Sequence, residues 1–259
     1  STVKGLVING FGGYGIYLQT GGGNVISGNH IGTNAAGTSA SANNWGIVLD
    51  NSANNTIGGT NAADRNVISG NTSDGINIGG ASTGNVIQGN YIGTNAAGTS
   101  AIGNGGYGIG IGSSNNLVGG TGANTGNLVS GNAGVGVGIS AGTGIRILGN
   151  SIHSNGAIGI DLGTAGVTAN DTGDGDSGAN NLQNFPVLAT ARTDGTGQII
   201  VTGTLNSTAN SYYRIEFFAN TAQDGTGHGE GQTFLGFANV MTNGSGDATI
   251  NAALTATVP

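Results

Sequence analysis

Six short apolar alternations, each opened by a glycine, recur along the first part of the chain: GIYL from Gly15, GIVL from Gly46, GINI from Gly75, GIGI from Gly108, GVGI from Gly136 and GIDL from Gly159. Successive openings lie about 23–33 residues apart, the spacing of a repeat architecture. Eight to ten residues after an opening comes a second short run, often led by asparagine: NVIS, NTIG, NVIQ, NLVG. Alternation with period two marks strands that bury one face. Ile47 and Leu49 are expected to point inward, Val48 and Asp50 outward. Runs of this length between Gly, Asn and Ser leave no room for helices, and no window shows a helical spacing.

The pattern also repeats at a longer period. NVISGN at Asn24 returns as NVIQGN at Asn85, and NVISGN at Asn66 returns as NLVSGN at Asn127, at one and the same interval. IGTNAAGTSA follows both His30 and Tyr91, again at that interval. Self-similarity at a fixed period, here about 61 residues, is the mark of stacked units. A parallel β-helix fits: five to six coils at ~4.8 Å spacing make a rod of roughly 25–30 Å. The super-repeat is then two coils that differ in where they carry their longer loop.

Asn29, Asn71, Asn90, Asn132 and Asn150 each follow a glycine where the chain must bend. Asparagine tolerates the left-handed backbone, and stacked amides can bond along a ladder, so a bend role is expected. From about Phe185 the strands lengthen: VLATART, QIIVTGTL, SYYRIEFFAN, QTFLGFANV and DATINAAL. They read as an antiparallel, immunoglobulin-like β-sandwich. The expected organisation is a β-helix over 1–165, an acidic Gly/Asn-rich linker over 166–184 and the sandwich over 185–259. Five strands leave a sheet edge that invites a strand from another copy.

Composition narrows the function. Charged residues are 7% of 259 and the net charge is −7, against ~25% charged in ordinary soluble domains. Asn, Thr, Ser and Gly supply the polar surface, which argues against nucleic acid or acidic lipid as partner. With no cysteine there is no disulfide framework and no thiolate metal site. No apolar run is long enough to span a membrane. The chain opens inside a strand-like pattern with no signal peptide ahead of Ser1, as expected of a mature or excised segment.

RNVISGN, GNYIGTNAAGTSAIGNGGYGI and NNLVGGT resemble the right-handed parallel β-helix proteins of the pectin-lyase-like fold found at bacterial and archaeal cell surfaces. GNSIHSNGAIGIDLG followed by VTANDTGDGDSGANNLQNFPVL is similar to the exit from such a helix, and GTLNSTANSYYRIEFFAN with GEGQTFLG to the β-sandwich that often follows. The resemblance covers essentially the whole chain and implies the fold. It leaves function open, because members include carbohydrate-active enzymes, adhesins and structural proteins.

Candidate chemistry is sparse. NDTGDGDSGANN from Asn170 sets Asp171, Asp174 and Asp176 among glycines, with Asp161 upstream. Hard oxygen ligands on a flexible loop suit Ca²⁺, although the EF-hand pattern and its closing Glu are absent. The loop from Asp224 to Glu230 is a weaker candidate of the same kind. Lyases of the resembled fold imply a basic residue beside acidic ones. Arg146, His153 and Asp161 are spaced so that coils could bring them together, and Arg65 beside Asp64 reads as a surface ion pair. Glycosidase chemistry needs two carboxylates ~5–10 Å apart, for which Asp50 and Asp74 are the candidates. His30 is a poor catalytic candidate because its repeat equivalent is Tyr91.

Among the aromatics Tyr14, Tyr17, Trp45, Tyr91 and Tyr107, Trp45 and Tyr107 hold equivalent places before a Gly-Ile strand, the arrangement of a sugar-stacking stripe. The expected function is an extracellular or cell-surface structural or adhesive protein, a filament, sheath or adhesin unit that binds copies of itself end to end or by strand donation. The alternative is a polysaccharide lyase, glycoside hydrolase or carbohydrate-binding module.

Overall fold

Inward isoleucines stack on one another from coil to coil. One column runs Val3, Ile26, Ile57, Ile87, Val118, Ile147. A second runs Ile8, Ile31, Ile68, Ile92, Val129, Ile152. A third sheet supplies two more, one through Ile16, Ile47, Ile76, Ile109 and Val137, the other through Leu18, Leu49, Ile78, Ile111, Ile139 and Leu162. Together they form one continuous core. Each fully buried isoleucine is worth ~2–3 kcal/mol as an upper figure, so strands of two to six residues hold only because the columns register them.

The structure is a computed structural model describing residues 1–193, 195, 197–222, 227–228 and 230–255. The expected parallel β-helix is present as three parallel sheets of six strands each. The first sheet contains Thr2–Lys4, Val25–Ser27, Thr56–Gly58, Val86–Gln88, Leu117–Gly119 and Arg146–Leu148. The second contains Val7–Ile8, His30–Ile31, Val67–Ile68, Tyr91–Ile92, Leu128–Ser130 and Ser151–His153. The third contains Tyr14–Gln19, Trp45–Asp50, Ile76–Gly79, Ile109–Ile111, Val137–Ile139 and Ile160–Leu162. Ile47 and Leu49 are buried and Val48 and Asp50 are not, as the alternation requires.

The two IGTNAAGTSA loops leave the second sheet two coils apart and touch each other across the loopless coil, where Ala96 N–H donates to the Gly37 carbonyl at 2.9 Å. In each loop an asparagine side chain accepts from the main chain, Asn34 from Thr38 and Asn95 from Thr99, both at 2.9 Å.

Each corner of the coil carries a buried asparagine ladder. One links Asn29, Asn66, Asn90, Asn127 and Asn150, each side-chain amide donating to the next Oδ1 at 2.8–3.0 Å. Another links Asn43, Asn71, Asn104, Asn132 and Asn155 at 2.8–3.0 Å. The third links Asn24, Asn55, Asn85 and Asn116 at 2.8–3.0 Å. The five asparagines expected to form one row therefore divide between two ladders. They are also not the left-handed residues: the preceding Gly28, Gly70, Gly89, Gly131 and Gly149 take φ of +62° to +79°. The glycine makes the bend, and the asparagine satisfies the main chain that the bend leaves unpaired.

The C-terminal part forms two antiparallel sheets, Val187–Thr193, Gln198–Asn206 and Asp247–Thr255 in one, Tyr212–Ala219 and Thr233–Met241 in the other. They share a core of Val201, Leu205, Ile215, Phe217, Ile250 and Leu254. This module covers the Ser151–His153 strand of the last coil and the residues flanking it. Its Gly231 forms an antiparallel bridge with Ile152, Glu216 accepts the Gly149 N–H at 2.8 Å, and Glu230 accepts the Ser154 N–H at 2.5 Å. The third ladder stops where Ile145 replaces asparagine, and Asn180 of the 166–184 segment takes over, accepting from Ile145 N–H at 3.0 Å. Ala179 of that segment is buried in the β-helix core. Among the described residues no helix is long and apolar enough to cross a membrane.

Candidate functional site

The third sheet carries three exposed tyrosines, Tyr14, Tyr17 and Tyr107, with the half-buried Trp45 among them. Tyr14 pairs with Trp45, and main-chain bonds from Gly46 to Asp74 and from Gly75 to Tyr107 continue that column. Trp45 and Tyr107 thus lie on one side with Asp74 between them, two coils or ~10 Å apart. The Tyr14 and Tyr17 rings stack at 4.6 Å. Tyr17 donates to Asp50 Oδ2 at 2.8 Å, a bond that raises the phenol above its ordinary pKa because ionisation would set two negative charges together. Asp50 also accepts from Asn51 at 2.7 Å.

Asp74 accepts the Tyr107 N–H at 2.8 Å and the Asn77 amide at 3.0 Å. The Tyr107 ring lies against the main chain at Gly134 and Gly138, where an added Cβ would come within 2.8 and 3.0 Å of ring carbons. Glycine at these places is what lets the ring lie down. Tyr107 stays partly exposed there, 39%, beside the hydrogen-bonding groups of Asp74 and Asn77.

The candidate catalytic pairs do not assemble. Asp50 is in register with Gly79, five residues beyond Asp74, which separates the two carboxylates by about 16 Å along the strands. That exceeds the spacing of either glycosidase geometry. Arg146, His153 and Asp161 stand on the first, second and third sheets respectively, three different sides of the rod. Asp64 pairs with Lys4 at 2.8 Å rather than with Arg65, and that contact holds its carboxyl below the usual range. Arg65 instead lies 4.0 Å from the centre of the Tyr91 ring.

The acidic exit loop does come together. One oxygen from each of Asp171, Asp174 and Asp176 lies within 4.8 Å of the others. Asp174 is fixed by the Asn184 N–H at 2.9 Å and the Ser207 hydroxyl at 2.6 Å, and Asp171 accepts the Gly175 N–H at 3.1 Å. Asp176 Oδ1 is buried with no hydrogen-bond partner. Burial, then the charges of Asp171 and Asp174, push the Asp176 pKa up. A hard cation suits such a set: all donors are oxygens, one is unpaired, and the carboxylates repel one another until a cation is present.

Asp161 does not join the group. It is buried on the third sheet, with Oδ2 accepting the Gly166 N–H at 3.2 Å and Oδ1 unpaired. In the second candidate loop Asp224 lies outside the described residues, and Glu230 serves the contact with the last coil. Sequence reasoning did not find Asn184 and Ser207 as supports of Asp174, because Ser207 lies in the other module and no local spacing announces it.

No protein-family model and no curated protein sequence matches the chain. Among solved structures, the Dettilon tailspike protein is similar at 14% identity over 94% of this chain and 69% of that one, with a TM-score of 0.20. A likeness of that size carries no argument about fold or function.

Proposed function

We propose that this chain is an extracellular or cell-surface structural and adhesive protein, a self-assembling rod rather than an enzyme. The observation that supports this best is how its polar residues are used. Buried asparagines lock the coils together, and the few outward charged groups are spread over separate faces instead of around a cleft. A rod of this kind is stiff, nearly uncharged and extendable, which suits a filament, sheath or adhesin unit. Electron microscopy with sedimentation over a concentration series tests it: assemblies are expected, and a monodisperse monomer at high concentration defeats the assembly reading.

A second reading concerns what the rod adheres to. The Tyr14, Trp45 and Tyr107 column, with Asp50, Asp74 and Asn77 beside it, supports polysaccharide binding along the third sheet. Retention on a panel of immobilised neutral and uronic-acid polysaccharides should fall in Trp45→Ala and Tyr107→Ala; equal retention refutes the assignment. Release of cleaved products from the same panel would favour the lyase or hydrolase alternative. The Asp171, Asp174 and Asp176 group is assigned to Ca²⁺, bound at the junction with the second module. Titration calorimetry should show binding that Asp174→Ala/Asp176→Ala abolishes.

A further inference from the structure

Resting on the polysaccharide reading, the third sheet also indicates which charge its ligand carries. Residues paired in parallel strands point to one side, so the column Val48, Asn77, Gly110, Gly138 and Asp161 faces outward beside the column Trp45, Asp74 and Tyr107. Three carboxylates stand on this face, Asp50, Asp74 and Asp161, and the six strands of the sheet hold no Lys, Arg or His. Their donors are all neutral: Tyr17 and Asn51 at Asp50, the Tyr107 N–H and Asn77 at Asp74, the Gly166 N–H at Asp161. Among the described residues the ion pairs lie elsewhere, at Lys4–Asp64 and Arg214–Glu216.

Between these groups the sheet is paved with glycine. An added Cβ at Gly110 would meet the Asn77 amide nitrogen at 3.2 Å, Asp74 Oδ2 at 3.3 Å and a Tyr107 ring carbon at 3.7 Å; at Gly79 it would meet nothing within 4 Å. Gly110 thus leaves a notch lined by an amide, a carboxylate and a ring, where a ligand can approach the strand closely.

Asp161 ends the strip. It pairs with Gly138, over which the Tyr107 ring lies, and it is only 5% exposed, yet its Oδ1 has no hydrogen-bond partner. A buried carboxylate oxygen without a donor is costly, and a donor brought from outside relieves that cost. Its cover is slight. Residues 163–167 are all exposed, Gly163 and Gly166 take φ of +80° and +102°, and the Gly166 N–H reaches Asp161 Oδ2 at 3.2 Å.

The donor that suits this face is positively charged. A protonated amine is attracted by the carboxylates and by the faces of Trp45 and Tyr107, one coil on either side of Asp74, whereas a uronate is repelled by both. Asp74 and Asp161 stand three coils apart, about 14 Å along the axis. One amine cannot serve both, but a polymer with an amine on successive rings can. The net charge of −7 draws such a polymer toward the chain.

We infer that the third sheet binds a polysaccharide bearing free amino groups, which meet Asp74 at the Gly110 notch and Asp161 once the 163–167 segment lifts.

Titration calorimetry of the 259-residue chain with de-N-acetylated glucosamine oligosaccharides, their N-acetylated forms and oligogalacturonate tests it. The amine form should bind about tenfold tighter than the N-acetylated form, the gain of one hydrogen bond between charged groups, and oligogalacturonate should bind weakest. Gly110→Ala fills the notch at unchanged charge, and Asp161→Asn keeps an acceptor for Gly166; each should remove most of that preference. Asp247→Asn loses the same charge in the other module and should bind as wild type does. Every variant is first checked for an unchanged circular dichroism spectrum. Equal or tighter binding of the N-acetylated or uronate form overturns the amine assignment and leaves the polysaccharide reading intact. A preference that survives in Gly110→Ala and Asp161→Asn, or that falls as much in Asp247→Asn, reports bulk charge only and overturns the site. No binding of any of the three overturns the assignment and, with no retention on the immobilised panel, the polysaccharide reading as well.

Discussion

Asn90→Ala removes the middle member of one of the two five-asparagine ladders, and the structure lets its cost be worked out. Asn90 is fully buried. Its amide donates to the Ile57 carbonyl at 2.9 Å, the Gln88 carbonyl at 3.0 Å and Asn127 Oδ1 at 3.0 Å, while its Oδ1 accepts the Asn66 main-chain N–H at 3.3 Å and side-chain amide at 2.8 Å. Two hydrogens given and two received make four bonds, each worth ~1 kcal/mol net. The Asn66 N–H, buried and left without an acceptor, adds a further penalty on the order of 1 kcal/mol. The expected loss is therefore about 4–5 kcal/mol, or roughly 10 °C or more in melting temperature for a chain of this size.

Asn24→Ala serves as the control. Asn24 is only partly buried and begins its ladder, giving its amide to Asn55 and, among the described residues, accepting from the Ser1 amine. Its cost should be about 1 kcal/mol. Urea unfolding followed by circular dichroism reads both variants. A loss under about 1 kcal/mol for Asn90→Ala, or equal losses for the two, would refute the claim that the ladders hold the corners.

Glu216→Ala should leave the Gly149 N–H without its acceptor and Arg214 without its carboxylate, costing about 2–3 kcal/mol. Hydrogen exchange should show the last coil losing protection while the middle coils keep theirs; unchanged exchange at Gly149 speaks against the contact. His153 has its pKa pushed below the ordinary histidine value by burial, only partly opposed by Glu230. A lowered folded value means stability is fully present above the unfolded pKa and is lost as pH falls through the folded one. Melting temperature should thus drop below about pH 6.5, and His153→Gln should flatten that part of the profile; a wild-type profile flat from about pH 7 to 5 contradicts it. Asp176 behaves in the opposite sense. Its raised pKa means stability present at low pH is lost as pH rises through the folded value. In a chelator at neutral pH, Asp176→Asn should melt higher than wild type. With Ca²⁺ added the order should reverse, and absence of any reversal counts against the metal assignment.

Much of this molecule could be read from its sequence, and the reason is the repeat. A period-two alternation that returns once per coil permits few ways to bury all its isoleucines, so the parallel coil and the inward places of Ile47 and Leu49 followed directly, while the five later strands were marked by their own longer runs. The exit loop was legible for the same kind of reason: three carboxylates crowded into one short, glycine-rich stretch have little choice but to be neighbours.

What tertiary structure alone decided was which distant residues share a side or an end. Arg146, His153 and Asp161 are close in sequence, yet each falls on a different sheet, because a chain that turns a corner every few residues disperses its neighbours around the rod. Asp50 and Asp74 share a face but not a row, since register is set by Ile47 meeting Ile76. The division of the asparagines into separate ladders, Tyr107 resting on glycines of a later coil, and Glu216 and Glu230 meeting the last coil depend on through-space partners far away along the chain. Local pattern determines strand and bend; only the stacking of coils determines what each outward side chain meets.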